Sequence, residues 1–489
     1  MNFQTDKTEQ AGLFAFSHRD LVAADSDVWL YIELFDQLDL AQFNKEYSYQ
    51  GQSPKEPRLM LRTIFYGLTH GITSGRRLSD ACRNDNRFIV LSGNLTPDQR
   101  TFNRFFERHE KNFISFFAQI VCLAQKMGLV ALGRVAFDGS RFKGNTGVTH
   151  SMQYDRMGRA IGYIEEELKK LREDLKQSNG GEASQIDDKV PEEIKNKENR
   201  IAKMKRAREE IEKEFEARTK SKRAMPESRK SLNDPEALSL ASRSDKYQFG
   251  YNAQAAVDEK TQIIVACDIH SKATDYEALP TMLDQVKENC GELPKAALAD
   301  LGYKSAENIH NIENRGVEAY IAIGKDEKGK DDLRSAKEVH IVEQVSKVDE
   351  NHYECMNKKR LGINKITNTI VEFTIRAGFC DGCPFRQECK INFTEPKKES
   401  GRQKRKSVCI PADALRESYK KYLARTKTEE FGEVYKKRKA IVESVFGNIK
   451  NKGIRILVKG KKKVAAWWKT ACTAHNIEKI VRYGMEVRV

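Results

Sequence analysis

The apolar residues of this chain change their period several times along its 489 positions, and the order of those changes restricts the fold more than any other feature. Over the first 130 residues they recur at helical spacing. Pro57 opens an apolar run from Leu59 to Leu68, which Gly71 and Gly75 interrupt. Helical stretches follow over Leu78–Phe88 and Thr101–Met127, the second preceded by the turn and cap residues Thr96-Pro97-Asp98. At Arg134 the pattern shortens to Val135-Ala136-Phe137, which predicts a buried strand finishing at Asp138-Gly139. From about Gly158 to Lys230 it lengthens again. Ile161, Ile164, Leu168, Leu171 and Leu175 form a heptad-type seam on a helix otherwise rich in Glu and Lys. After Ser178-Asn179-Gly180-Gly181 a second charged helix carries Ile194, Ile201, Met204, Ile211 and Phe215. The pair predicts a coiled-coil hairpin inserted into another domain, because strand character resumes behind it.

Phe249–Val257 and Gln262–Ile269 read as strands joined through Asp258-Glu259-Lys260. Thr274-Asp275 reads as the cap of a helix over Tyr276–Asn289, and Ala296–Ala299 as a strand ending at Asp300. A helix over Ser305–Asn314 and a strand over Glu318–Ile323 complete the pattern. Hairpin-linked strands followed by alternating helix and strand predict an α/β domain with a mixed five-stranded sheet and flanking helices, of RNase H-like type. The expected divisions are an all-α domain over 1–130, the first part of the sheet domain over 131–157, and the helical hairpin over 158–230. The sheet core follows over 231–324, a polar Cys-containing insert over 325–410, and C-terminal helices with a basic tail over 411–489. Arg76, Arg77, Arg83, Arg87, Arg100 and Arg104 suit the helical domain for DNA, or for a solvated basic face.

Charge narrows the partner. Lys and Arg number 86 against 71 Asp and Glu, a net +15, which points to a polyanion such as nucleic acid. The excess is local. Between Glu443 and Glu478 there is no acidic residue, while Lys450, Lys452, Arg455, Lys459, Lys461, Lys462, Lys463 and Lys469 are all positive. These lysines, with Lys397, Lys398, Arg402, Lys404, Arg405 and Lys406, are candidate phosphate contacts and are expected to govern salt-sensitive binding. Trp467 and Trp468 in that window read as core residues of a terminal helix. No apolar run approaches the ~20 residues that span a bilayer, and Met1–Gln10 lacks a secretory pattern, so the expected location is the cytoplasm, away from membranes.

Of the ten cysteines, Cys82, Cys122, Cys267, Cys290, Cys409 and Cys472 are scattered and read as small buried hydrophobes. Cys355, Cys380, Cys383 and Cys389 form a cluster with a single CxxC, a ligand set suited to structural Zn²⁺ in a segment without a good apolar core, with His352 as an alternative ligand. A redox CxxC is disfavoured, since no thioredoxin-like strand precedes it.

Two predicted strands thus finish in aspartate, Asp138 and Asp300, and a basic helix carries Glu443. Three carboxylates suit a pair of hard divalent cations set ~4 Å apart for phosphoryl transfer on DNA. Asp268, at a strand end, is a further option for the third carboxylate, and Asp275 reads as a helix cap.

The string from Tyr435 through Arg438 and Glu443 to Lys450 resembles the C-terminal signature of DDE insertion-sequence transposases, in which tyrosine, arginine, glutamate and lysine lie along one helix. Four residues separate Arg438 from Glu443 where one large branch has three, so Lys439 is a rival for the arginine role. Phe137-Asp138-Gly139-Ser140 and Asp300-Leu301-Gly302-Tyr303 resemble the motifs around that family's two aspartates. Asp234-Pro235 and Tyr251-Asn252-Ala253-Gln254 also recur in it, and Gly71 to Arg77 with Pro97 to Phe105 resemble its helical domain. The resemblance implies that Asp138, Asp300 and Glu443 hold two Mg²⁺ or Mn²⁺ ions for cleavage at element ends and strand transfer by a 3′-hydroxyl. It implies that Tyr435, Arg438 and Lys450 contact phosphates, with Lys452, Arg455, Lys461, Lys462 and Lys463 behind them. It also implies double-stranded DNA, both element ends and target, as partner and a homo-oligomer as the acting species. A transposase-derived DNA-binding regulator is expected to have lost a carboxylate, and all three are present. A metal-dependent nuclease of the same fold, cutting without joining, shares the same residues.

Overall fold

A computed structural model describes residues 17–47, 53–147, 150–178, 192–216, 225–240, 248–325, 331–332, 344–376, 378–389 and 405–488. The chain begins with helices α1 (Val28–Asp36), α2 (Ala41–Asn44), α3 (Pro57–Thr69), α4 (Gly75–Asn84), α5 (Asn86–Leu91), α6 (Gln99–Arg108) and α7 (Asn112–Lys126). Their ends follow local chemistry. Pro57 opens α3, where its missing N–H costs nothing. Gly71, at φ 75°, lets the chain leave α3, and Ile72 N donates to Gly67 O at 2.7 Å. Asp98 caps α6, accepting from Thr101 N at 2.7 Å. Each of the two long helical stretches expected over 78–88 and 101–127 is a pair of helices. Asp85 ends the first by capping α5 through Arg87 N, and His109 breaks the second, its buried ring bonded to Tyr47 and Asn112 at 3.0 Å each.

Strand β1 (Arg134–Lys143) does not finish at Asp138 as its apolar run suggested. It continues because β5 (Gln248–Asp258) pairs with it antiparallel along its length, from Val135↔Asp258 to Lys143↔Gly250. Between them lie β2 (Ser151–Gln153), α8 (Tyr154–Ser178), α9 (Glu192–Glu216), β3 (Arg229–Ser231) and β4 (Leu238–Leu240). The two helices pack around Met157, Ile161, Ile164, Leu168, Ile194, Ile201, Met204, Ala207, Ile211 and Phe215, and β2 pairs with β3 at their base. Asn179–Gly181 of the breaker and the side chains of Leu175 and Ser178 lie outside the described residues.

After β5 come β6 (Ile264–His270), α10 (Ala278–Cys290), β7 (Ala296–Ala299), α11 (Ala306–Asn314) and β8 (Glu318–Ile321). β7 runs parallel to β1 and β8 parallel to β7, while β6 is antiparallel to β5. The sheet has six strands rather than the expected five, because β4 also pairs with the start of β5. Along β6 the edge is closed by a side chain: Asn476 Oδ1 accepts from Ile264 N and its Nδ2 donates to Ile264 O, both at 2.8 Å.

Short pairs β9 (Gly324–Lys325) and β10 (Asp331–Asp332) lead to β11 (Val345–Asp349), β12 (His352–Cys355), β13 (Arg360–Ile366), β14 (Ile370–Arg376) and β15 (Arg405–Pro411). These five form a second, antiparallel sheet with its own core of Val345, Tyr353, Leu361, Val371, Phe373, Ile375, Val408 and Ile410. The expectation that 325–410 lacks an apolar core is therefore corrected. Its apolar residues alternate along β14, and one sheet face gathers them.

The chain closes with α12 (Asp413–Thr426), α13 (Glu429–Asn451) and α14 (Lys461–Arg488). Thr428 splits the long helix expected beyond Ala412, accepting from Phe431 N as the cap of α13. Trp468 is fully buried, stacked on Phe446 with ring centroids 5.9 Å apart, and its Nε1 donates to Gln254 O at 2.9 Å. One continuous buried cluster joins α1–α7, the main sheet and α13–α14. Among the single cysteines Cys122 and Cys409 are exposed, contrary to expectation, and the other four are buried. No helix among the described residues is long and apolar enough to cross a membrane.

Separate cores predict separable unfolding. Met204→Ala removes a fully buried side chain from the α8/α9 cluster and is expected to cost about 2–5 kcal/mol there. The chain's three tryptophans, Trp29, Trp467 and Trp468, all pack in the main cluster. Far-ultraviolet circular dichroism should therefore show an earlier helical transition while tryptophan fluorescence melts as in wild type, and a joint shift of both signals contradicts the separation.

Candidate active site

The site begins with a register. The last pair between β1 and β7 is Phe137↔Ala299, and the next residue on each strand is an aspartate. Parallel neighbours lie ~4.8 Å apart, so Asp138 and Asp300 stand side by side where β7 gives out. The carboxylate of Asp138 accepts from Gly139 N at 2.9 Å, and Asp300 caps a short 3₁₀ turn, Leu301–Tyr303, by accepting from Gly302 N at 2.8 Å. Helix α13 crosses this edge. Arg438, only 5% exposed, points Nη1 at Asp138 Oδ2 and Nη2 at Glu443 Oε1, 3.7 Å in each case. Arg438 faces the carboxylates, whereas Lys439 is exposed. Tyr435 is buried beneath the guanidinium, 5.9 Å from ring centroid to Cζ.

Burial pushes the Asp138 carboxyl up to about 7; Arg438 pulls it down, and Asp300 and Asp275 push it further up. Carboxylate oxygens are hard ligands of the kind that suit Mg²⁺ or Mn²⁺. Among the described residues no three His, Cys, Asp or Glu side chains are close enough to share a cation. Arg438 stands between Asp138 and Glu443 instead.

The basic residues divide. Lys450 Nζ donates to Ser140 Oγ at 2.6 Å, two residues beyond Asp138. Lys461 Nζ donates to Ser271 Oγ at 2.8 Å. Arg455 and Lys462 are exposed, and Lys463 lies 3.9 Å from Glu107. Lys452 is paired with Glu478 and is 20% exposed, so its charge is largely committed within the protein.

Asp268 lies on β6, bonded to Ile269 N at 2.8 Å and Gln285 Nε2 at 3.4 Å. Asp275 corrects the sequence reading: the cap position of α10 is Glu277, and the Asp275 side chain instead accepts from Asn252 Nδ2 at 2.7 Å and Gln254 Nε2 at 2.6 Å. The sequence marks Asn252 and Gln254 only as part of a recurring string and gives them no role. The available signal was two amides in an otherwise apolar strand, which when buried must find partners.

The four clustered cysteines are unbridged and line one cavity of about 20 Å³ with Phe379 and Phe385. Cys355 and Cys380 sit in turns, with Lys358 N donating to Cys355 O at 2.8 Å and Cys383 N to Cys380 O at 3.3 Å. His352 turns away to Asp349 at 2.8 Å.

Residues 213–477, just over half of the chain, match the transposase DDE domain family. The chain belongs to that family. Residues 16–108 match a second family described as a transposase domain (DUF772). The mixed sheet is accordingly the RNase H-like sheet of a DDE transposase. The transposase's first match contains Asp300 and Glu443 but begins beyond Asp138, which only the β1/β7 register brings to them. Searches of curated proteins and of solved structures found no match.

The raised Asp138 carboxyl fixes a pH dependence. Folded protein holds this proton more tightly than unfolded chain, so its stabilising effect is full below the ordinary value of 3.8 and is lost as pH rises through about 7. In EDTA, Asp138→Asn is expected to melt above wild type at about pH 8, with the gap narrowing as pH falls and closing only near the ordinary carboxyl value of 3.8. A gap that does not change with pH contradicts the burial of an ionisable Asp138.

Proposed function

We propose that the transposase cuts DNA at the ends of its element and joins the freed 3′-hydroxyl to target DNA, at a centre made of Asp138, Asp300 and Glu443. What supports this reading is the register that sets the two aspartates side by side, with α13 carrying Glu443 across them. These three carboxylates would hold Mg²⁺ or Mn²⁺. When bound, two such ions activate the attacking oxygen and stabilise the leaving one.

The chain's own residues orient the DNA. Arg438 balances Asp138 and Glu443 in the protein alone, and with cations seated its planar donors are released to a phosphate. Tyr435 beneath it limits the guanidinium's swing. Lys450, tethered to Ser140, holds a phosphate next to the scissile one. Arg455, Lys461, Lys462 and Lys463 continue that track and hold the duplex without reading its sequence. Lys452 works chiefly through Glu478, joining α13 to α14.

In this reading residues 1–130 bind DNA, and 131–157, 231–324 and 411–489 form the catalytic domain. The hairpin over 158–230 and the Cys-bearing unit over 325–410 are inserts, and the protein acts as a homo-oligomer in the cytoplasm. The test is cleavage and joining of labelled element-end DNA with Mg²⁺. Wild type should do both, and Asp300→Ala neither while still binding the DNA. Unimpaired cleavage by Asp300→Ala overturns the assignment, and cleavage without joining by wild type favours the nuclease reading.

Cys355, Cys380, Cys383 and Cys389 belong to a structural Zn²⁺ site in the same proposal. They line one cavity but stand too far apart in the metal-free protein to share a cation, so they would have to draw together on the ion, and soft thiolates select zinc over Mg²⁺. Metal analysis should find one zinc per chain, lost in Cys383→Ser together with resistance of this sheet to proteolysis; purified wild type without zinc contradicts it.

A further inference from the structure

A fourth carboxylate, Asp275, adjoins the backbone next to both strand aspartates. A Cβ added at Gly139 would fall 2.5 Å from Asp275 Oδ1 and 2.3 Å from Gln254 Nε2. One added at Gly302 would fall 3.3 Å from Asp275 Oδ2 and 3.0 Å from Asp300 Oδ1. A single side chain thus abuts the residue after Asp138 and the turn after Asp300. At Gly139 a side chain would have to displace Gln254 and Asp275, and at Gly302 one would press on Asp300 and Asp275.

The carboxylate also closes a buried polar chain. Gln254 Nε2 donates to Asp275 Oδ1 at 2.6 Å and to Asn252 Oδ1 at 3.0 Å, and Gln254 Oε1 accepts from the hydroxyl of Tyr303. Asn252 Nδ2 donates to Asp275 Oδ1 at 2.7 Å and to Lys272 O at 3.2 Å. Asn252 and Gln254 are each 2% exposed, and Tyr303 is fully buried. An amide has two orientations, whereas an ionised carboxylate only accepts. Asp275 therefore fixes Gln254 with its NH₂ towards the loop and its oxygen towards Tyr303. Tyr303 belongs to the turn that begins at Asp300, and Gln254 lies opposite Gly139 in the β1/β5 register. The chain Asp275–Gln254–Tyr303 ties the neighbourhoods of the two aspartates together across three strands.

We propose that Asp275 is a positioning residue of the transposase centre: through Gln254 and Tyr303 it sets the Asp138 and Asp300 carboxylates in the mutual arrangement that takes up a divalent cation. The inference rests on the proposed role of those two aspartates. Charge-assisted bonds in a buried site are the stronger kind, and removing the acceptor leaves the Gln254 amide free to turn and the Tyr303 hydroxyl without a fixed partner.

Calorimetric titration of the full-length, metal-free chain with Mn²⁺ tests this, alongside binding of element-end DNA in EDTA and the melting profile. Asp275→Ala is expected to weaken Mn²⁺ binding by about 10- to 100-fold, the usual effect of removing a partner that orients metal ligands. Asp275→Asn keeps an acceptor oxygen in the same place and should recover part of the loss, whereas Gln254→Met should reproduce the loss. DNA binding without metal and cooperative melting should match wild type in Asp275→Asn and Gln254→Met. The proposal is overturned if Mn²⁺ affinity in Asp275→Ala equals that of wild type while Asp138→Ala is defective. It is also overturned if Asp275→Asn and Gln254→Met lose cooperative melting, since the role is then structural alone. If Asp138→Ala too binds Mn²⁺ as wild type does, it is the assignment of the centre that fails.

Discussion

The pairing of β1 on both sides is the constraint from which the rest follows. Its antiparallel partner β5 runs its full length, whereas its parallel partner β7 stops at Ala299. A strand held on one side and released on the other continues straight while its neighbour turns away. The residue after the last shared pair is therefore rigid on one strand and at the head of a turn on the other. Asp138 and Asp300 occupy those two positions. Their closeness is a property of hydrogen-bond register and not of any attraction between them, and the neighbouring Asp300 helps to raise the Asp138 carboxyl.

Around that step the protein places groups that keep it narrow. Trp468 on α14 donates to the backbone of Gln254 from one side, and the Gln254 amide reaches over Gly139 to Asp275. Asp234 ties the approach together, accepting from the Tyr251 hydroxyl at 2.7 Å and from Gly460 N at 3.2 Å. The short strings that looked like separate motifs thus have partners in the fold: Tyr251 pairs with Asp234, while Asn252, Gln254 and Tyr303 join Asp275 in a polar lattice beside Asp138-Gly139. Burial makes each of its hydrogen bonds costly to lose, which gives the lattice its stiffness.

Much of this was legible beforehand. Short apolar runs between turn signals located β5, β6, β7 and β8, the cap at Asp98 located the start of α6, and the heptad seam with the charged helix behind it located α8 and α9. The errors have physical causes. β1 was cut short because Gly139 and Ser140 are not apolar, yet β5 supplies pairing that side-chain pattern does not record. The Cys-bearing sheet was missed because its strands bury one face only, so their mean polarity resembles that of loops. Asp275 looked like a cap because caps are recognised by neighbours in sequence, while its partners Asn252 and Gln254 lie more than twenty residues away along the chain.

What the sequence determined by itself was therefore local and chemical: which segments are helix or strand, that three carboxylates and a run of lysines suit divalent cations and DNA, and that four thiols suit zinc. Tertiary structure alone decided which of many acids meet, that Arg438 rather than Lys439 faces them, that Lys452 is spent on Glu478, and that Asp275 takes Asn252 and Gln254 as partners. The reason is one of range. Propensity, capping and periodicity act over a few residues and are written in their order, whereas strand register and burial bring together residues hundreds of positions apart, and only the folded chain specifies those distances.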